Sequence, residues 1–244
     1  MRYFVELSYN GTRYHGWQKQ PNARTIQNEI ENVFSVLLKQ PIEVIGCGRT
    51  DTGVHAAQYY LHFDTDRLVP DEFLYKANAI LSNDIFLKRI FQVPTELHAR
   101  FSALKRAYRF FISNHKSPFH QETYWHYHSS SFLELSKMQE CANLLLDYKE
   151  FKPFCKSNSG VDNYFCTLSK SQWIETDEGF VYEVEASRFL RGMVRIIVGT
   201  CISYSTGKLS LDELTIALNE QTQLPVAWSV PPQGLFLTKV EYNF

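Results

Sequence analysis

From residue 2 to residue 9 polar and apolar side chains alternate, the two-residue period of a half-buried strand. Thr25 then precedes a stretch in which Ile26, Ile30, Val33, Phe34, Leu37 and Leu38 recur every three or four positions, so a helix capped by Thr25 is predicted. Beyond Pro41 the apolar run 42–47 reads as a second strand and 58–63 as a third. A helix that opens on Pro70 and acidic residues follows to about 81, and a strand over 85–92 closes the series. The order is βαββαβ.

Residues 95–104 read as a linker, and the pattern then starts again. Strands are predicted over 106–113 and 124–128, and a helix over 131–148 with Leu135, Met138, Cys141, Ala142 and Leu145 turned inward. Segments 164–176 and 179–186 form a hairpin around Asp177-Glu178-Gly179. Helices over about 189–203 and 211–219 and a strand over 235–242 complete the half. The second half repeats the first with one helix and one strand added, which predicts an α+β fold of two ferredoxin-like (βαββαβ) halves, 1–94 and 105–244, with helices on one face of a mainly antiparallel sheet. A four-stranded sheet with an open face is also the platform of RNA-recognition modules, although a shared platform does not fix the use.

At 244 residues and 44% hydrophobic content the chain is long enough to bury a sizeable core. A formal net charge of −1 argues against a protein that coats nucleic acid indiscriminately, so any such affinity must come from local clusters. Two occur. HARFSALKRAYRF at 98–110 carries Arg100, Lys105, Arg106 and Arg109 without an acid, and 187–195 carries Arg188, Arg191 and Arg195 without one. The five cysteines, at 47, 141, 155, 166 and 201, are odd in number and form no CxxC pair, which points to reduced, mostly buried thiols. The start of the chain has no apolar core of signal-peptide length and no segment suits a bilayer, so a cytoplasmic, non-membrane protein is expected.

Candidate chemistry concentrates in Gly46-Cys47-Gly48-Arg49-Thr50-Asp51-Thr52-Gly53-Val54-His55-Ala56. Glycine on both sides lets Asp51 project into a cleft, and Arg49 two positions back can hold that carboxylate ionised as a nucleophile or charge stabiliser. Ordinary turn chemistry accounts for an Asp between Thr and Gly equally well. The pattern argues against a dinucleotide or triphosphate cofactor, because GxGxxG would need glycine at Asp51 and no GxxxxGK[ST] occurs. His126 and His128 lack a third metal ligand at a recognised spacing. In a helix, Arg188, Arg191 and Arg195 would form one basic stripe beside an apolar one containing Leu190, suited to a phosphate partner or to a solvated face. Alternation sets Arg106, Tyr108 and Phe110 on one face, where Tyr108 can stack on a base or fill a core.

Taken together and in order, these segments resemble the tRNA pseudouridine synthase A family over nearly the whole chain. GTRYHGWQKQPNART at 11–25 followed by Ile26-Gln27 is similar to the family's G-x-x-Y-x-GWQ-x-Q segment, and GRTDTGVHA at 48–56 to its GRTDAGVHA. HARFSALKRAYRF, FLRGMVR at 189–195 and PPQGL at 231–235 resemble its later motifs. The resemblance implies a cofactor-free isomerase that converts uridine to pseudouridine at positions 38–40 of the tRNA anticodon stem-loop. It further implies two ferredoxin-like halves in one continuous sheet and a homodimer whose RNA touches both subunits. Carried over by position, Asp51 is the nucleophile, Arg49 helps extrude the nucleotide, Arg195 pairs with the catalytic carboxylate and Tyr108 stacks on the uracil. Arg100, Arg106, Arg188 and Leu190 complete the expected substrate-binding set. Thr52 departs from the usual Ala, and Arg191-Gly192 from the usual His-His; both bear on substrate range. A non-catalytic RNA-binding protein and a synthase for another structured RNA are the competing readings.

Overall fold

The computed structural model describes residues 1–128, 132–156, 160 and 162–244. Its elements are β1 (Arg2–Tyr9), α1 (Ile26–Leu38), β2 (Ile45–Gly46), β3 (His55–Asp64), α2 (Phe73–Ile80), β4 (Ile85–Val93), β5 (Lys105–Ser113), β6 (Trp125–His126), α3 (Leu135–Leu144), β7 (Leu168–Thr176), β8 (Gly179–Ala186), α4 (Met193–Ser205), α5 (Leu211–Glu220) and β9 (Leu235–Glu241). This is a mixed helix-and-sheet fold with mainly antiparallel pairing, and it divides into two compact units, Met1–Leu104 with Phe236–Phe244, and Lys105–Leu235. Among the described residues no helix is long and apolar enough to cross a membrane.

In the first unit β1 lies between β3 and β4 and is antiparallel to both, with Phe4 opposite His62 on one side and Phe91 on the other. β9 joins the far edge of β3 in parallel, Phe236 and Leu237 pairing with His55 and Ala56. Thr25 caps α1 as its sequence position predicts: its side-chain oxygen accepts the Asn28 N–H at 3.4 Å, and the helix ends where Lys39 turns left-handed at φ 52°. The apolar stripe of α1 meets the sheet and α2 through Phe34, whose ring lies 5.2 Å from Phe63 and 5.0 Å from Phe73. The strand predicted over 42–47 is only Ile45–Gly46. Side chains of α1 take the backbone donors that would have built the rest, Ser35 Oγ accepting from Ile42 and Glu31 Oε1 from Val44.

In the second unit β8 lies between β5 and β7, antiparallel to both, with Tyr108 opposite Val184 and Trp173 opposite Tyr182. The hairpin falls where the Asp177-Glu178-Gly179 turn places it, Gly179 taking φ 143°. α3 is shorter than the periodicity predicts, passing into a 3-10 turn at Leu145–Asp147; its predicted start at Ser131 lies outside the described residues. Met138, Cys141 and Ala142 of α3 are fully buried, as are Ile197 and Cys201 of α4 and Tyr182 of β8. Ser210 caps α5 in a reciprocal box with Glu213.

A third predicted element also differs. The helix expected from 189 begins at Met193, because Gly192 takes φ 74° and the Met193 N–H closes a turn onto the Leu190 carbonyl. Arg188 and Arg191 therefore precede the helix, and the stripe of three arginines on one helical face does not exist.

Candidate active site

The loop between β2 and β3 presents Asp51 and is held at several points. The Cys47 N–H donates to the Tyr60 carbonyl at 2.8 Å, which anchors the loop to the sheet it leaves. The Tyr59 hydroxyl donates to the Gly48 carbonyl. Thr50 is buried, with its Oγ1 2.9 Å from the Tyr9 hydroxyl and its carbonyl accepting the Trp17 N–H at 3.2 Å. Asp51 is half-buried, and its carbonyl accepts the Val54 N–H at 3.2 Å in a turn that needs φ 76° at Gly53. His55 is buried, accepts the Gly11 N–H at Nδ1 (3.1 Å) and stacks on Phe236 at 4.4 Å.

The partner of this loop is the segment from Gly11 to Gln18. Its backbone runs against the loop so closely that a methyl group at Gly11 would lie 2.0 Å from the Val54 oxygen, and one at Gly16 2.3 Å from the Thr50 oxygen. The Gly53 N–H donates to the Tyr14 carbonyl at 3.3 Å. The Trp17 ring stacks on Tyr59 at 4.2 Å and 28°. Gln18 then reaches the exposed Arg49, accepting from its Nε at 3.2 Å, while its own amide donates to Gln27 Oε1 at 3.0 Å. The two sequence motifs, 11–25 and 48–56, thus form one interlocked structure around Asp51 and Arg49. Arg100, also in this unit, is exposed, with its guanidinium 5.5 Å above the Phe101 ring and its N–H donating to His98 Nδ1 at 3.1 Å.

In the second unit the remaining candidates gather where β5 meets the segment after β8. Tyr108 is half-buried, its ring edge-on to Phe189 at 5.0 Å and 86°. An Arg106 Nη1 donates to the Ser187 carbonyl at 3.3 Å. Arg188 is half-buried near Cys166: burial pushes that thiol up to about 11, and the Arg188 charge opposes the rise. Leu190 is buried. Arg195, in the first turn of α4, donates from Nε to the Val230 carbonyl at 2.6 Å and accepts the Val230 N–H on its own carbonyl. The structure therefore gathers Arg106, Tyr108 and the 187–190 segment, while Arg195 is fixed against Val230.

His126 and His128 bring their rings within 3.9 Å beside a cleft of about 510 Å³ that Trp125 and Trp228 also line. Among the described residues no three His, Cys, Asp or Glu side chains group to hold a metal. In the sequence Tyr9 and Tyr59 read only as strand residues, although each places its hydroxyl on the Asp51 loop. Strand alternation said which face they occupy, and nothing local in the sequence said what stands opposite.

Residues 143–243 match a family model described as tRNA pseudouridine synthase. The chain is 39% identical over 242 residues to "tRNA pseudouridine synthase A" of Azobacteroides pseudotrichonymphae, covering 99% of this chain and 96% of the relative. It is 39% identical over 244 residues to the protein of that name from Bacteroides fragilis, with 99% and 96% covered, and 37% identical over 246 residues to that of Bacillus subtilis, with both chains covered in full. These matches define an isomerase of the pseudouridine synthase class. Within that class, similarity along the whole chain settles the branch: the chain belongs to the tRNA pseudouridine synthase A family.

Proposed function

We propose that this protein isomerises uridine to pseudouridine at positions 38–40 of the tRNA anticodon stem-loop, with Asp51 as nucleophile. The relatives named above are tRNA enzymes by name. The observation that carries the reading is the Asp51 loop, a half-buried carboxylate on a turn bonded to its surroundings on both sides. Loops held this firmly keep a reacting group in place without reorganisation during the reaction.

The reaction breaks the C1′–N1 bond of the target nucleoside, turns the base and joins C1′ to C5. The C5 hydrogen leaves as a proton and N1 takes one up, so atoms and electrons balance without an oxidant or reductant. The base must leave its stack to be reached. Arg49, exposed beside Asp51 and steadied by Gln18, suits a role in extruding the nucleotide. Tyr108 offers a half-buried ring for the uracil, Leu190 contributes apolar lining, and Arg195 supplies positive charge to catalysis. Arg100, Arg106 and Arg188 take phosphates. In this reading the chain is built as two ferredoxin-like halves, 1–94 and 105–244, joined through 95–104, with β9 of the second half packed into the compact unit of the first. The β4-β1-β3 order of the first, with β2 pairing beyond β3, fits that topology. We also infer a cytoplasmic homodimer, which sedimentation at micromolar concentration tests; a monomer refutes it.

The test is pseudouridine mapping on an unmodified tRNA transcript with uridine at 38, 39 and 40, with chelator present, comparing the protein with its Asp51→Ala variant. Pseudouridine from the unmutated protein alone is the expected result, with tRNA affinity of the variant within roughly tenfold because phosphate contacts supply most of it. Comparable turnover by Asp51→Ala overturns the nucleophile assignment. Tight tRNA binding without pseudouridine from either overturns the substrate assignment.

A further inference from the structure

Three aromatic rings sit under the Asp51 loop, and two of them end in hydroxyl groups. Tyr9 is 5% exposed, Tyr59 0% and Trp17 2%, so the hydroxyls are out of water and need partners in the protein. Both find them on the loop: Tyr59 donates to the Gly48 carbonyl, and Tyr9 bonds Thr50 Oγ1 at 2.9 Å. Gly48 and Thr50 are the residues on either side of Arg49, and Thr50 directly precedes Asp51.

The rings themselves have little freedom. Trp17 stacks on Tyr59 at 4.2 Å, and Tyr9 lies 5.5 Å from Tyr59 at 60°. Gly46 closes the remaining space, since a Cβ there would come within 2.0 Å of the Tyr59 oxygen and 2.6 Å of the Trp17 ring. Backbone bonds from Trp17 and to Tyr14 hold the outer side of the same loop. The loop therefore rests on a rigid aromatic base through two side-chain hydroxyls, one at each flank of the arginine.

We propose that Tyr9 and Tyr59 are positioning residues for the reaction, fixing the backbone at 48–50 and thereby the direction in which Arg49 and Asp51 are presented. The proposal rests on the reading of Asp51 as the reacting carboxylate. Neither tyrosine touches substrate in it. Their effect is on the geometry from which Asp51 reacts, so removing a hydroxyl slows the chemical step and leaves RNA affinity alone.

The test measures single-turnover pseudouridine formation at saturating tRNA, tRNA affinity and thermal unfolding for Tyr9→Phe, Tyr59→Phe, Thr50→Val, Thr50→Ser and the Tyr9→Phe/Thr50→Val pair, with Asp51→Ala alongside. Tyr9→Phe, Tyr59→Phe and Thr50→Val are each expected to slow the step about 10- to 100-fold, since misplacement of a reacting group by about 1 Å costs that order. Affinity stays within about twofold, because phosphate contacts are untouched. The Tyr9→Phe/Thr50→Val pair should be no slower than either single variant, because both remove the same bond. Thr50→Ser, which keeps the hydroxyl, restores the rate. Full rates in the phenylalanine variants with Asp51→Ala inactive overturn the positioning role alone. Losses that multiply in the pair, or that appear in affinity and melting temperature while the rate holds, also overturn it. Full turnover by Asp51→Ala instead overturns the catalytic reading beneath it.

Discussion

Replacing Gly16 with alanine puts a methyl group where the Asp51 loop already is. At φ 83° the new Cβ would stand 2.3 Å from the Thr50 oxygen, 3.1 Å from the Asp51 carbonyl carbon and 3.3 Å from the Thr52 nitrogen. To reach ordinary contact the Thr50 carbonyl must retreat by about 1 Å, and that carbonyl is the acceptor for Trp17. The left-handed backbone costs alanine about 1–2 kcal/mol and the overpacking about 1–3 kcal/mol, together about 2–5 kcal/mol. For a chain of this length that lowers the melting temperature by roughly 5–15 °C. The chemical step should slow about 100-fold if a 1 Å displacement reaches Asp51. The control is Gly207→Ala, a glycine at φ 70° whose added Cβ would meet no atom of the described residues within 4 Å, so it carries the backbone cost without the collision. Calorimetry and single-turnover pseudouridine formation on both variants decide the matter. Equal melting temperatures for the two, with full turnover in Gly16→Ala, would refute the claim that this segment holds the loop.

Acid stability offers a second test. Burial, with the nearby charges of Arg2 and His98 adding to it, lowers the His62 pKa to about 4, and its buried Nε2 has no hydrogen-bond partner among the described residues. The unfolded chain takes a proton near pH 6.5 that the folded one refuses, so stability is complete above pH 6.5 and declines as pH falls toward 4. The total is about 3 kcal/mol. His62→Asn should flatten urea-denaturation stability between pH 7 and pH 5, and an unchanged slope would count against it. Ser210→Ala removes the capping box of α5 and should cost about 1 kcal/mol by the same assay without changing turnover. Tyr108→Ala removes the proposed stacking platform; single-turnover rates should fall roughly 5- to 150-fold, the range of one base–aromatic stack, and a rate within twofold would remove Tyr108 from the site.

Much of the local structure was legible in the chain. Alternation over 2–9 is β1, Thr25 does cap α1, and Asp177-Glu178-Gly179 turns the β7–β8 hairpin. These features depend on residues a few positions apart, where side-chain period and turn chemistry act directly. The motifs at 11–25 and 48–56 were equally visible, and they carried the family assignment that similarity along the whole chain establishes.

Other features came only with the tertiary structure. Apolar residues at 42–47 suit a strand, yet Glu31 and Ser35 from α1 take the backbone donors at 42 and 44. The 189–203 periodicity suits a helix, yet the left-handed turn at Gly192 delays it to Met193. Tyr9 and Tyr59 read as two more apolar strand positions until the fold sets their hydroxyls against Gly48 and Thr50. His62 and Ala99 are 37 residues apart in the chain and share a hydrogen bond. Sequence by itself determined the strand and helix periods, the Thr25 cap and the presence of an aspartate between glycines. Tertiary structure decided which buried donors and acceptors meet across long separations, because burial forces each polar group to find a partner and the partner's identity depends on which segments the fold brings into contact.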